Sequence, residues 1–194
     1  MAAALVSFAL ADRVAVLTLE RPPVNAMSRA LMKDLEAGLA NGVCLGGGLE
    51  LAMAYDLQIA AGSARFGQPE VNLGVVSGWG ETQRLPRLVG RTRALQMLML
   101  GDQISADEAL GMGLVNRVVP DDTLMAEVAA VARRLAAKSA VALAKVKEAV
   151  QRGLSLPLPH GLGEEARCYV EAYNSDDAKE GIRAFLEKRP PRYT

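Results

Sequence analysis

Glu50 and Glu70 are two carboxylates twenty positions apart, and each adjoins backbone that can be shaped closely around a ligand. Glu50 follows Gly46, Gly47 and Gly48 at the opening of an apolar, helix-like run, and Glu70 ends the stretch Phe66-Gly67-Gln68-Pro69-Glu70. Glycines lack a Cβ, so their amide N–H groups can approach a substrate oxygen, and a helix start adds positive potential there. A carboxylate beside such a loop can move protons while the amides stabilise an oxyanion. Singly, each signal is weak. The triplet alone is a flexible turn, Glu50 alone a helix-start charge worth about 0.3–1 kcal/mol, and Glu70 alone a surface residue after a proline turn. The triplet also imitates a dinucleotide loop with an acid some 20 residues on, but the place of its third glycine is taken by Leu51.

Composition narrows the field around these residues. The chain has 194 residues, enough for one domain, or one domain with an appendage, around a substantial core. Hydrophobic residues are 51% and aromatics 4%, so the core must be aliphatic. Lys plus Arg equals Asp plus Glu at 22 each, which argues against a bulk field for nucleic acid or an anionic membrane. Cys44 and Cys168 are too few for a disulfide framework and read as buried thiols of a cytoplasmic protein. One histidine, His160, makes a His/Cys metal site improbable and would have to serve any Ser-His-Asp triad from a Pro- and Gly-rich joint, residues 157–163. Residues 1–11 make a poor signal peptide, and no run reaches the roughly 20 apolar residues of a spanning helix.

The elements that must position the two acids can be read from periodicity. Residues 5–10 and 14–20 form a predicted hairpin, ended by Arg21-Pro22-Pro23. Ser28 caps an expected helix running to Ala40. Residues 49–55 read as a buried helix, 57–61 as a strand, 82–88 and 92–100 as helices, and 115–119 as a strand. Ser105-Ala106-Asp107-Glu108 has the form of a capping box. From residue 120 the pattern is all-helical, over 122–136, 140–152, 164–173 and 176–188, so the chain divides as 1–119 and 120–194. Arg84, Arg87, Arg91 and Arg93 are expected on a solvated face with ion pairs, and Met97 and Met99 in the core. Glu81 is expected to face solvent or cap the helix that follows it, the alternative being an extra carboxylate near the site.

The ordered stretches Asn41-Gly42-Val43-Cys44-Leu45-Gly46-Gly47-Gly48-Leu49-Glu50, Phe66-Gly67-Gln68-Pro69-Glu70-Val71-Asn72-Leu73-Gly74 and Thr82-Gln83-Arg84-Leu85-Pro86-Arg87-Leu88-Val89-Gly90 closely resemble the enoyl-CoA hydratase/isomerase (crotonase) family. Gly101 to Ala106, Gly113-Leu114-Val115, Glu180 to Arg189, Arg21-Pro22 and Asn25-Ala26-Met27 extend the likeness over nearly the whole chain. The resemblance implies an α/β fold, a spiral of ββα turns with a C-terminal helical region that builds trimers or hexamers. It implies an acyl-CoA substrate and no cofactor beyond it, with no metal, nucleic acid or membrane partner. Gly47 matches an oxyanion-hole donor for the thioester carbonyl, Glu50 and Glu70 the two catalytic carboxylates of hydratases, and Gly78 a glycine that helps to hold the nucleophilic water. Ala26, Met27 and Tyr193 match weaker substrate-binding positions.

On that reading the reaction is addition of water to a trans-2-enoyl-CoA thioester. Glu50 holds the water, and Glu70 exchanges a proton at Cα. Apolar surroundings are expected to raise the pKa of at least one carboxyl. Isomerisation, thioester hydrolysis and a non-catalytic role as an oligomeric binding subunit are the alternatives. One departure bears on all of them. Between Ala40 and Asn41 the family has several dozen further residues, including a core strand and the loop with the second oxyanion donor. Either that segment belongs to the protein and is missing from the sequence, or its loss is genuine. Smaller departures are Ser77, where proline is common, and Trp79 and Glu81, where the family prefers small residues.

Overall fold

Short, largely apolar runs form the first two strands, β1 (Val6–Ala11) and β2 (Val14–Leu19). The computed structural model describes residues 6–11, 14–19 and 42–193. β1 and β2 pair antiparallel, Val6 opposite Leu19 and Ala11 opposite Val14, which is the hairpin read from the sequence. The helix expected from Ser28 to Ala40, and with it Ala26 and Met27, lies outside the described residues. The chain divides into two units, Met1–Ala130 and Val131–Thr194.

In the first unit the backbone winds between two small sheets. β3 (Val43–Leu45) leads through α1 (Gly47–Ala52) to β4 (Ile59–Ala61), and β5 (Arg65–Gly67) returns beside β3. Then α2 (Glu81–Val89) and α3 (Arg91–Leu100) precede β6 (Gln103–Ser105), and α4 (Ala106–Gly111) passes to β7 (Arg117–Val119). One sheet has the order β3-β5-β6, parallel then antiparallel, and the other pairs β4 with β7 in parallel. Successive windings thus give a strand to each sheet with helix between, the expected spiral of ββα turns.

The core of this unit is aliphatic and closely fitted. Leu49 and Leu85 are fully enclosed, alongside Phe66, Met97 and the small residues Ala106 and Ala109. Burying one such leucine is worth about 1.5–3 kcal/mol. Small residues let elements approach. A Cβ on Gly67 would lie 2.9 Å from the Asp102 carbonyl oxygen, so β5 and β6 can pair here only because position 67 is glycine. Met97 is buried as expected, but Met99 is 68% exposed. α3 buries only the stripe through Ala94 and Met97, three residues apart, and Met99 falls off that stripe. The capping box forms in full: Ser105 Oγ accepts the Glu108 N–H at 3.2 Å, and Glu108 Oε2 accepts the Ser105 N–H at 2.7 Å.

α5 (Leu124–Ala136) begins in the first unit, with Leu124 packed on Ala61 and Val119. The second unit contains α6 (Ala140–Gly153), α7 (Leu158–Tyr173) and α8 (Asp176–Leu186). Ser139 and Ser175 cap α6 and α8, each accepting a backbone N–H at 3.1 Å. The Pro- and Gly-rich stretch around His160 is helical, not a joint. Pro159 lies in the first turn of α7, where its missing N–H has no acceptor to lose. Gly161 lies against Gly153 of α6, where an added Cβ would stand 3.3 Å from the Gly153 oxygen. Glu148 of α6 joins the two helices through Arg167 at 2.7 Å, while Lys145 pairs with Glu148 and with Glu171. Among the described residues no helix is long and apolar enough to cross a membrane.

Candidate active site

Chain direction reverses at Gly46, and this turn organises the site. Gly46 has φ 52 and ψ −128, a conformation that residues with a Cβ rarely adopt. Its N–H donates to the Gly67 carbonyl at 3.0 Å, fastening the turn to β5. The Glu70 carboxylate lies directly over it: a Cβ on Gly46 would be 2.6 Å from Glu70 Oε1. Glycine is required here twice, once for the backbone and once to admit the carboxylate. Gly47 is the first residue of α1, so its N–H has no acceptor within the helix.

Glu50 lies on the first turn of α1 and is 4% exposed. Its Oε1 accepts the Trp79 N–H at 2.7 Å and the Glu81 N–H at 3.3 Å. These donors come from the loop that contains Gly78, so the Gly78 segment and Glu50 are held together by the backbone. Glu70 is in the first turn of a short 3-10 helix, Pro69–Leu73, which Gly74 ends in the left-handed conformation at φ 72. Its Oε2 is buried without a hydrogen-bond partner. Glu50 and Glu70 therefore converge on one locus at the start of α1, together with Gly46, Gly47 and the Gly78–Glu81 loop. Tyr193 is described in the second unit, where its hydroxyl faces Gly181.

Sequence reasoning gave no role to two contributors and placed a third in solvent. Gln68 is 1% exposed and donates from Nε2 to the Gly46 oxygen at 3.4 Å. Trp79 contributes its backbone N–H to Glu50. Glu81 corrects an expectation outright: it is fully buried, with neither carboxyl oxygen at ordinary hydrogen-bond geometry with a partner. Gly80, at φ 101, turns the chain so that the first residue of α2 is placed against Glu50 instead of water. Burial pushes the Glu81 carboxyl up to about 8, and the nearby Glu70 and Glu50 charges push the same way. The Ser77 and Gln68 side chains stand close enough to offset part of that rise. The signal available in the sequence was a charged residue where the resembling family prefers a small one.

The rest of the surroundings is structural. Arg84 donates to the Trp79 carbonyl at 2.7 Å and Arg87 to the Gln83 carbonyl at 2.8 Å, so these two arginines brace backbone. Cys44 is buried in the core and desolvation pushes its thiol up to about 12, which leaves it no nucleophilic character. Cys168 is likewise free and buried. Among the described residues no group of His, Cys, Asp and Glu side chains could hold a metal ion.

Residues 37–194, which contain this whole arrangement, match the Enoyl-CoA hydratase/isomerase family. The chain belongs to that family. Among curated family members, a crotonyl-CoA hydratase of Syntrophomonas wolfei is 46% identical over 170 residues, which are 88% of this chain and 65% of that protein. A probable enoyl-CoA hydratase of Mycobacterium tuberculosis is 46% identical over 153 residues, 79% of this chain and 60% of that one. The chain therefore spans slightly less than two thirds of the length of these enoyl-CoA hydratase relatives. Solved family structures agree with the fold. The enoyl-CoA hydratase subunit I of Geobacillus kaustophilus superposes with a TM-score of 0.91 at 35% identity, covering 98% of each chain. An enoyl-CoA hydratase of Bacillus anthracis gives 0.92 at 29% identity, covering 98% and 99%.

Proposed function

We propose that this chain carries the chemistry of an enoyl-CoA hydratase: syn addition of water across a trans-2-enoyl-CoA thioester. The observation that carries the proposal is the meeting of Glu50 and Glu70 at the Gly46–Gly47 turn, on the site residues this family uses. Attack of water at Cβ accumulates negative charge on the thioester oxygen, and the free Gly47 N–H is the donor for it. One such donor is worth about 2.7–4 kcal/mol of transition-state stabilisation. Glu50, anchored by the Trp79 and Glu81 amides, holds the water. Glu70 takes a proton from that water and passes one to Cα. Two carboxyls support hydration over isomerisation, which needs only the residue at position 70.

In this reading the substrate is an acyl-CoA, no further cofactor takes part, and the helical C-terminal unit serves a cytoplasmic trimer or hexamer. Its exposed apolar side chains, Phe185 at 83% and Leu186 at 74%, support an assembly. The test is crotonyl-CoA added to protein of verified intact mass. Hydration removes the enoyl-thioester absorbance and raises the product mass by one water. A product of unchanged mass would move the assignment to isomerisation, and unchanged absorbance with retained acyl-CoA binding to a binding subunit.

A further inference from the structure

Four buried side-chain atoms lack a hydrogen-bond partner among the described residues: Gln68 Oε1, Glu70 Oε2, and both carboxyl oxygens of Glu81. All four belong to one site. All four are acceptors when both acids are ionised, and the donors beside them are the Ser77 hydroxyl and Gln68 Nε2, the latter directed at the Gly46 oxygen. A buried acceptor left alone is destabilising, and more so when charged. The charged neighbours facing Glu81 are Glu70 and Glu50, both acidic, and its polar neighbours are Ser77 and Gln68. Arg84, one turn along α2, is engaged with the Trp79 carbonyl. The positive end of α2 favours ionisation of Glu81 only modestly, against the cost of burying its charge beside Glu50 and Glu70.

One proton on Glu81 adds a donor to this cluster. We propose that Glu81 is a positioning residue of this site, held in its neutral form, whose O–H donates to the Glu70 carboxyl and so fixes its orientation. The role rests on the hydratase reading above for its consequence in catalysis, but not for its geometry. A neutral Glu81 leaves two working carboxyls and gives the cluster a further donor. An ionised Glu81 places a third charge there, repels Glu70 and removes the donor. Burial lifts Glu81 to about 8, so this change falls just above neutrality.

The test uses the full chain with Glu81→Gln, which keeps a neutral donor, and Glu81→Ala, which removes it. Infrared titration without substrate is expected to show a protonated-carboxyl band at neutral pH that disappears near 8 and is absent from Glu81→Gln. The Glu70 band, identified by its loss in Glu70→Gln, is expected to shift in Glu81→Ala and to stay in place in Glu81→Gln. With crotonyl-CoA, Glu81→Ala is expected to lower kcat roughly tenfold with little change in KM, and Glu81→Gln to restore most of the rate and abolish the alkaline fall in kcat/KM. Absence of the protonated band at neutral pH, or a Glu70 band indifferent to Glu81→Ala, overturns the proposal. Absence of turnover by the parent chain overturns the hydratase reading instead, and the infrared result still decides this one.

Discussion

At the scale of single residues, the site works by putting acids where backbone donors or missing Cβ atoms admit them. Glu50 has two amide donors, and Glu70 fits only because position 46 has no side chain. Glu70→Gln is expected to lower hydration by at least about 100-fold while acyl-CoA binding persists, since proton transfer of this kind is worth about 10²–10⁴-fold. Steady-state rates and equilibrium binding, measured on the same preparation, check it. Gly46→Ala should do comparable damage without touching an acid, because the new methyl would occupy the space of Glu70 Oε1 and strain a positive φ. Retained turnover in Gly46→Ala would mean that the turn and Glu70 are not coupled. Glu50 and Glu70 were legible because the stretches around both resemble the family's motifs; glycine and proline beside each acid were weak signals alone. Glu81 was not, since a charge on the first turn of a helix ordinarily meets solvent. Only the turn at Gly80, a three-dimensional fact, sends it inward.

At the scale of elements, local chemistry set what could be read. Ser105 and Glu108 announced their capping box four residues at a time, and Ser105→Ala is expected to cost about 0.5–2 kcal/mol, measured by chemical denaturation. Helices with long periodic faces were placed within a few residues of their observed ends. The strands β3, β5 and β6 were missed, for each is only three residues long and too short to show an alternating pattern. The helix α7 was started too late because Pro159, Gly161 and Gly163 are breakers in isolation. Contact with α6 overrides that preference, and glycine at 161 is what permits the contact. Gly161→Val should therefore loosen the α6–α7 hairpin, seen as faster amide exchange along both helices.

At the scale of the whole chain, stability should fall toward both ends of the pH range for separate reasons. Glu148 is held down at about 2 by Lys145 and Arg167, so its contribution is complete above the ordinary glutamate range and lost as pH falls toward 2. Glu81 is raised, so its contribution is complete below that range and lost as pH rises through about 8. Thermal midpoints across pH are expected to trace both limbs, with Glu148→Gln flattening the acid one and Glu81→Gln the alkaline one. The sequence also contains a single tryptophan, and it is Trp79, whose amide is bonded to Glu50. Excited at wavelengths beyond tyrosine absorbance, the unlabelled protein thus emits from one place, beside Glu50. A ligand that enters the site, or a proton that leaves it, can be followed in real time by colour shift alone, with no dye attached.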